Sequence, residues 1–277
     1  MLNSFSSIVS VDLIPLMPKH KRIVNDWDAG ADSWVDFVRQ GKDFFRDELN
    51  NPGMFHVIGN VKGLTVLDVA CGEGYNTRLL ASKGAKVTGI DFSKKMIKSA
   101  KSQEEKDPYD IDYYVLDSRD LSRFTAESFD LVTCFMALMD IEDYDATISE
   151  IARIMKNNGR FVFSITHPCF EYNSTSQTIE KTPKYFEARS EKVPWNIERL
   201  LEPFETTSFH RTLTDYSNTL CKHGLLIRRL FEPKPTENGP AKFAPLRHVL
   251  MTPHSIIVEA VKTSYSGDKD PEECLHL

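Results

Sequence analysis

The sequence predicts an α/β protein whose core is a doubly wound, mostly parallel sheet. Short apolar runs alternate with amphipathic helical stretches from Leu64 onward, and this alternation is typical of parallel strands joined by helices. The first two runs end in carboxylates, Asp68 and Asp91. Ligands of such sheets bind at the carboxyl ends of neighbouring strands. The 277 residues, 41% hydrophobic and 27% charged, suit one large globular domain with additions.

Two segments precede the first predicted strand. Residues 1–24 show no periodicity and contain helix-breaking prolines, so we expect a loosely attached N-terminal arm. Residues 25–60 are helical in pattern and rich in aromatic side chains. Trp34, Phe37 and Val38 share one helix face because they are spaced i, i+3 and i+4. Either this face packs on the main domain, or its tryptophans cover a bound ligand.

Five strands with intervening helices follow. The predicted strands are 64–69, 86–90, 111–115, 129–134 and 160–165. The predicted helices are 75–83, 94–104 and one that carries Ile148, Ile151, Ala152 and Met155 on a single face. Gly84 closes the first helix, Ser93 caps the second, and Asn157-Asn158-Gly159 ends the third.

The pattern becomes irregular over residues 168–211, where neither a long helix nor a long strand is evident. An irregular stretch of this length inside a compact domain is usually a lid or a binding loop. The alternative is a disordered insertion, but such insertions are poor in aromatic residues, and this segment contains seven. We therefore expect a cap that lies over the active site.

Regular structure resumes near the C-terminus. A helix is predicted at 212–223, and strands are predicted at 225–231 and 255–261. The two strands follow each other without a crossover helix, which indicates an antiparallel pair at the sheet edge. The complete prediction is a seven-stranded sheet with an antiparallel edge strand, followed by a polar tail at 262–277.

The turn after the first strand distinguishes two nucleotide-type ligands. A dinucleotide fingerprint needs Gly-x-Gly-x-x-Gly. Gly72 and Gly74 supply the first two glycines, but Thr77 stands at the third position. A pyrophosphate also gains nothing from the nearby carboxylate of Asp68. A ligand with a cationic amino-acid end and an uncharged nucleoside, such as S-adenosylmethionine (SAM), tolerates that acid.

The run Asp68-Val69-Ala70-Cys71-Gly72-Glu73-Gly74, followed by Gly89-Ile90-Asp91-Phe92-Ser93, resembles a class I SAM-dependent methyltransferase. The sequence departs from the family pattern at Ala70, where a glycine usually stands. The resemblance implies one methyltransferase domain over 25–261, with N-terminal helices at 25–60 and the cap at 168–211.

The resemblance also implies the cofactor site. Asp91 would accept hydrogen bonds from both ribose hydroxyls, Asp117 and Ser118 would meet the adenine, and Phe135 would line the methionine end near Asp68. The full set implied for SAM is Asp68, Ala70, Cys71, Gly72, Gly74, Asp91, Phe92, Met96, Asp117, Ser118 and Phe135.

Two residues are candidates for a general base, which a hydroxyl or acidic carbon acceptor requires. His167 directly follows the fifth strand, and Asp140 follows the fourth. Both therefore lie at the carboxyl ends of strands that face the methyl group. Trp34 is a candidate cover for the substrate, and His210 and Arg211 are candidate contacts to an acidic substrate group.

The composition and charge of the chain limit the kinds of binding partner that we expect. The net charge of −6 gives no reason to expect a nucleic acid. Five widely spaced cysteines without zinc-ligand spacing predict no metal and reduced thiols in the cytoplasm. The N-terminus resembles neither a signal peptide nor a membrane span.

A small-molecule acceptor is therefore the first interpretation of the function. RNA or protein methylation, or non-catalytic binding of SAM or NAD, stay open as alternatives. The sequence predicts no oligomeric state and does not indicate whether oxygen, nitrogen, carbon or sulfur is methylated.

Overall fold

The computed structural model describes residues 19–173, 178–197 and 200–263. The N-terminal part is helical, with α1 at Lys19–Arg39, a π-helical turn at Arg46–Asn50 and α2 at Asn51–Ile58. The alternating part comprises β1 (Thr65–Val69), α3 (Tyr75–Ser82), β2 (Lys86–Asp91), α4 (Lys94–Lys106), β3 (Asp112–Val115), β4 (Phe129–Cys134), α5 (Tyr144–Ile154) and β5 (Met155–Thr166). A 3₁₀ turn at Leu138–Asp140 precedes α5.

The remaining elements form the cap and complete the sheet. The cap contains β6 (Phe170–Asn173), β7 (Thr178–Lys181), β8 (Arg189–Trp195) and β9 (Phe204–His210). The chain then forms α6 (Leu213–Lys222), β10 (Leu225–Phe231), α7 (Gly239–Lys242), α8 (Leu246–Val249) and β11 (Ser255–Lys262).

The central sheet has seven strands in the order β10-β11-β5-β4-β1-β2-β3. Strands β1 to β5 pair with their neighbours in parallel. In contrast, β11 is antiparallel to both β5 and β10. The prediction of a mostly parallel sheet with an antiparallel pair at its edge is therefore confirmed. The strand that runs against the others is β11, and it lies one place in from the edge strand β10.

The central strands of the sheet are buried on both faces, as a doubly wound fold requires. Alternate side chains of β5 point to opposite faces. Phe161 and Phe163 belong to the same apolar cluster as the inner faces of α5 and α6. Val162 belongs to the cluster that contains α2 side chains, such as Met54 and Ile58. These central strands therefore read as apolar runs because neither face meets water, whereas the edge strands β3 and β10 keep exposed side chains.

The N-terminal prediction needs a correction. Helix α1 begins at Lys19, directly after Pro18, so residues 19–24 are helical and do not belong to a loose arm. Residues 1–18 of the predicted arm, and residues 264–277 of the predicted tail, lie outside the described residues. Helix α1 docks on the start of α4, where the Asp28 carboxylate accepts a hydrogen bond of 2.5 Å from Ser93 Oγ.

The cap is more regular than the sequence indicated. Strand β6 pairs with β7, and β8 pairs with β9, which makes two antiparallel hairpins. The expectation of an irregular segment is wrong because these strands are half exposed and pair only with each other. They therefore lack the apolar runs that identify the strands of the main sheet. Phe204 of β9 packs on α1 at Gly30, where a Cβ would lie 2.3 Å from the ring.

One predicted boundary is also wrong. Helix α5 ends at Ile154, and β5 begins at Met155, five residues before the predicted strand. Met155 pairs with Phe129 of β4, and the register shifts before Arg160 pairs with Leu131. Asn158, with a φ of 63°, lies within this irregular start. In the described part of the chain, no helix has an apolar stretch long enough to cross a bilayer.

Candidate active site

The turn after β1 is shaped by left-handed backbone conformations. Ala70, Gly72 and Gly74 have φ angles of 54°, 56° and 85°. A Cβ built at Gly72 would meet no atom within 4 Å, so the turn faces open space there. Ala70 adopts the conformation that favours glycine at a cost of about 1–2 kcal/mol, which explains why a glycine is usual at this position. The turn therefore offers an exposed backbone surface for SAM.

Asp91 is the last residue of β2, and its carboxylate holds this turn against the end of that strand. Its Oδ2 accepts a hydrogen bond of 2.9 Å from the Gly72 N–H, and its Oδ1 accepts one of 2.8 Å from the Ser93 N–H. A carboxylate has about four lone-pair positions, so two stay available for the hydroxyls of a ligand. Burial raises the pKa of Asp91 to about 6, against the lowering effect of the two N–H groups.

Asp68 lies at the end of β1 and is almost fully buried. Its two oxygens accept hydrogen bonds of 2.7 Å from the hydroxyls of Thr77 and Thr133. Burial raises its pKa to about 6, although the two hydroxyls lower it. Thr77, which takes the place of the third dinucleotide glycine, thus serves to hold this carboxylate in position.

A cavity of about 1120 Å³ opens above these carboxyl ends. Pockets for a single small molecule usually measure about 300–1,000 Å³, so this cavity has room for a cofactor and a second molecule. It is lined by every predicted cofactor residue except Gly74, Asp117 and Ser118; those lining it are Asp68, Ala70, Cys71, Gly72, Asp91, Phe92, Met96 and Phe135.

The three exceptions have identifiable positions. Gly74 precedes α3 and packs against Tyr113, whose Oη would lie 2.5 Å from a Cβ at this position. Asp117 and Ser118 line a small adjoining pocket, which shares Phe92 with the large cavity. The Asp117 carboxylate forms an ion pair of 2.7 Å with Arg119.

Asp140 ends the 3₁₀ turn after β4 and lines the cavity. Burial raises the pKa of its carboxyl to about 7, while a hydrogen bond from Ser208 and the charge of Arg211 lower it. Ser208 belongs to β9, so the cap contributes to the surroundings of this acid. Asp140 therefore changes its charge near neutral pH.

The Arg211 guanidinium binds backbone carbonyls. It donates hydrogen bonds to the carbonyl oxygens of Leu138, Ile141 and Glu142, at 3.3, 2.6 and 2.9 Å. Arg211 thus fixes the turn that carries Asp140. The neighbouring His210 lines the cavity, and its Nε2 lies 2.7 Å from the Tyr185 carbonyl oxygen.

His167 lines the cavity, and both of its ring nitrogens are engaged. The Cys169 N–H donates to Nδ1 over 3.1 Å, and Nε2 lies 3.0 Å from Oε1 of Glu232. A backbone N–H can only donate, so Nδ1 is unprotonated and Nε2 carries the proton. Burial lowers the pKa of His167, although Glu232 raises it. Its role as a base stays a prediction, and it requires one of these contacts to break.

Aromatic rings line the part of the cavity beyond the glycine turn. Trp34 lies edge-on to Trp27 of the same helix and to Trp195 of β8, with ring centroids 5.9 and 5.0 Å apart. A second group joins Phe45 to Tyr172 and His254, at 5.6 and 4.4 Å. The sequence singled out Trp34, but it gave no signal that a cap residue meets its helix or that His254 meets Phe45.

Three buried polar atoms near the cavity have no hydrogen-bond partner among the described residues. They are Arg46 Nη1, Glu73 Oε1 and His254 Nδ1, and all three residues line the cavity. Glu73 lies within the predicted turn, so the sequence could have identified it. Arg46 and His254 are far from the turn in sequence, and only the fold brings them to it. No group of three or more potential metal ligands occurs in the described parts of the chain.

We expect cofactor affinity to rise with pH through about 6, because Asp68 and Asp91 become ionised there and then attract a cationic ligand and accept hydroxyl hydrogen bonds. The gain is up to roughly tenfold for each group between about pH 5 and pH 7.5. Calorimetric titration with SAM at several pH values measures it. An affinity that falls over this range would contradict the assignment.

The same two carboxylates affect stability in the opposite direction. Their folded-state pKa values are raised above the ordinary value of 3.8, so the folded protein binds protons more readily than the unfolded chain. Their stabilising contribution in the unliganded protein is therefore present below about pH 4 and is lost as the pH rises through about 6.

Comparisons with known proteins agree with this site. Residues 67–163 match the family described as a methyltransferase domain. An uncharacterized protein of Haemophilus influenzae is 28% identical over 195 residues, covering 67% of this chain and 76% of that protein. The ubiquinone biosynthesis O-methyltransferase of Coxiella burnetii is 36% identical over 111 residues, covering 40% of this chain and 47% of that enzyme. The match thus spans about half of that relative.

Solved structures show the same fold. An S-adenosylmethionine-dependent methyltransferase of Mesorhizobium loti is 25% identical, with a TM-score of 0.62 over 76% of this chain and 96% of that one. The magnesium protoporphyrin IX methyltransferase of Synechocystis, with bound SAM, is 20% identical, with a TM-score of 0.55 over 90% of this chain and 99% of that one. Together with the glycine turn and the strand-end carboxylates, these findings support a class I SAM-dependent methyltransferase, with S-adenosyl-L-methionine as its cofactor.

Proposed function

We propose that this methyltransferase acts on a small, ring-containing molecule, which binds in the aromatic part of the cavity. The observation that carries the proposal is that α1 and the segment after it meet the cap around this part, through the contacts of Trp34 with Trp195 and of Phe45 with Tyr172. An enclosed aromatic pocket suits a compact apolar ring. An RNA or protein substrate would need an open, extended surface.

The cofactor would lie along the carboxyl ends of β1, β2 and β4. The SAM sulfonium supplies an already activated methyl group when the cofactor is bound. The free lone pairs of Asp91 would accept the two ribose hydroxyls, while Phe92 and Met96 would pack against the adenine. Asp117 and Ser118, which line the adjoining pocket, would lie beyond that ring, and the charge of Asp68 would favour the cationic end of the ligand.

The aromatic walls would orient the acceptor and exclude water. Orientation of two reactants in line can contribute about 7–11 kcal/mol to lowering a barrier. Trp34 and Trp195 form one wall of this space, and Phe45 forms part of the other. His210 lies near the cap end of the cavity, where it would contact a polar group of the acceptor.

Asp140 is the general base that the geometry favours. Its pKa of about 7 makes it roughly half ionised at neutral pH, which is the range in which a general base is most effective. Arg211 is a positioning residue, because it holds the backbone of the turn that carries Asp140. His167 could take up a proton only after one of its two hydrogen bonds had broken. The ionised carboxylate of Asp140 has further lone pairs, so it can accept a proton directly.

The Coxiella relative supports a small-molecule acceptor, since its name assigns it an O-methyl transfer in ubiquinone biosynthesis. If Asp140 is the base, the acceptor atom must carry a removable proton. A hydroxyl oxygen satisfies this condition, as does a nitrogen that carries hydrogen.

The proposal can be tested by incubating the protein with methyl-labelled SAM and a cell extract separated into small molecules, protein and RNA. We expect label in the small-molecule fraction, and none when Asp91→Ala replaces the wild-type protein. Label in the protein or RNA fraction instead would overturn the proposed acceptor class while leaving methyl transfer itself intact.

A further inference from the structure

His254 differs from the other two histidines that line the cavity in the hydrogen bonds of its ring. Both ring nitrogens of His167 are engaged, and Nε2 of His210 lies 2.7 Å from a carbonyl oxygen. In contrast, Nδ1 of His254 is buried and has no partner among the described residues. A buried polar atom without a partner is costly, so this imidazole indicates a partner that a bound molecule supplies.

The surroundings of this imidazole are aromatic. The centroid of its ring lies 4.4 Å from that of Phe45 and 6.3 Å from that of Tyr172, which meets it edge to face. Phe243 also packs against Phe45, with ring centroids 5.7 Å apart. Burial lowers the pKa of His254 to about 4, and no charge or hydrogen bond from the described residues offsets this effect. The imidazole is therefore uncharged at neutral pH.

The central sheet fixes the position of His254. This residue directly precedes β11, and its carbonyl oxygen accepts a hydrogen bond of 2.9 Å from the His167 N–H, which directly follows β5. The bond continues the antiparallel ladder in which Ser255 pairs with Thr166. Residues opposite each other in such a ladder place their side chains on the same face. The unpartnered imidazole therefore stands at the end of two buried strands, beside His167.

We propose that His254 binds the methyl acceptor through a hydrogen bond to an uncharged polar substituent of the acceptor ring. The inference rests on the proposed function, because it needs an acceptor ring in the aromatic part of the cavity. The acceptor group that loses its proton to Asp140 is a different group. The acceptor class is therefore a ring with two polar groups, one that is methylated and one that His254 holds.

A hydroxyl suits this imidazole better than a carboxylate does. A neutral imidazole has one N–H donor and one acceptor nitrogen, and a hydroxyl can pair with either of them. A buried carboxylate needs a cation beside it, because burial of an unpaired charge costs far more than burial of a hydroxyl. Among the described residues, no cation contributes to the pKa of His254. His254 therefore favours a hydroxyl over a carboxylate at this position of the ring.

The test measures the binding of simple rings to the protein saturated with S-adenosylhomocysteine. The probes are toluene, the three benzenediols and the three hydroxybenzoates, so that a second hydroxyl or a carboxylate is tried at each ring position. Ligand-observed NMR gives their dissociation constants for the wild type, His254→Phe and the control His56→Phe. Phenylalanine keeps a ring that can pack on Phe45 and removes both nitrogens. His56 packs on Phe231, with ring centroids 5.2 Å apart, and does not line the cavity.

We expect at least one benzenediol to bind the wild type more tightly than toluene does. His254→Phe should weaken that benzenediol by roughly 3- to 10-fold, the usual loss for a hydrogen bond between neutral groups. The same change should not weaken toluene, and His56→Phe should change neither affinity. No hydroxybenzoate should bind the wild type more tightly than the best benzenediol.

The stability of the unliganded protein distinguishes this role from a structural one. His254→Phe replaces an unpartnered polar ring with an apolar ring, so we expect its melting temperature to equal or exceed that of the wild type. His254→Leu provides the same test if the phenylalanine ring does not fit. A lower melting temperature for both variants would assign the imidazole to the fold and would contradict the inference.

Two results would overturn the inference and leave the proposed function in place. One is a benzenediol that binds His254→Phe as tightly as it binds the wild type, which would mean that only water pairs with the imidazole. The other is a hydroxybenzoate that binds the wild type more tightly than every benzenediol. If none of the rings binds the wild type, the proposed acceptor class is wrong, and this inference is wrong with it.

Discussion

Replacement of Asp140 by Asn is expected to lower kcat by roughly 10²–10⁴-fold, the usual contribution of a general base. The amide has nearly the same shape and keeps an oxygen for the hydrogen bond from Ser208, so the turn held by Arg211 should stay intact. The amide cannot take up a proton from the methylated substrate, however. The measurement is turnover with the small molecule that the labelling experiment identifies, at saturating SAM.

The pH profile distinguishes this role from a structural one. Wild-type turnover should rise as the pH increases through about 7, because Asp140 is protonated and inactive below its raised pKa. Asp140→Asn should lose this step and still bind S-adenosylhomocysteine as the wild type does. His167→Gln is the matched comparison, and we expect it to retain the step. A fully active Asp140→Asn together with an inactive His167→Gln would transfer the role to His167.

Replacement of Asp91 by Ala is expected to weaken SAM binding by roughly 10²–10⁴-fold. Two hydrogen bonds from the ribose hydroxyls to a charged acceptor would be lost, and each such bond contributes about 1.5–3 kcal/mol. The Gly72 N–H would also lose its acceptor, so the turn would be held less firmly. Titration of the folded variant with S-adenosylhomocysteine provides the measurement.

Asp117→Asn is the control for this experiment. Its carboxylate also lies near the expected adenine, but it is already paired with Arg119, so we expect a smaller loss of affinity. Because Asp91→Ala removes supports of the backbone as well, its fold should be verified by circular dichroism. Asp91 would be excluded from cofactor binding if the folded variant bound within about tenfold of the wild type.

We expect the acids of the site to favour the substrate form of the cofactor over the product form. Asp68 and Asp91 are buried and Asp140 is half-buried, and burial raises the pKa of each. Methyl transfer removes the positive charge of the sulfonium, and with it part of the attraction to these carboxylates. We therefore expect these carboxylates to bind the demethylated product less tightly than SAM.

The sequence by itself determined the sheet and the cofactor turn. The central strands β1, β4 and β5 are identifiable because burial on both faces requires continuous apolar runs, and this requirement is local in sequence. Asp68 and Asp91 stand out for the same reason, since each ends such a run. The left-handed turn is equally local, because Gly72 needs no distant residue to adopt its conformation.

Only the tertiary structure decided how the cavity is closed and which charges it presents. The hairpins β6–β7 and β8–β9 were not predicted, because half-exposed strands that pair with each other carry no apolar run. The engagement of both His167 nitrogens was also unpredictable, since Glu232 lies 65 residues away. The position of Arg46 beside the turn was unpredictable for a similar reason. A buried charge is identified by the residues around it, and those residues come together only after distant segments have packed.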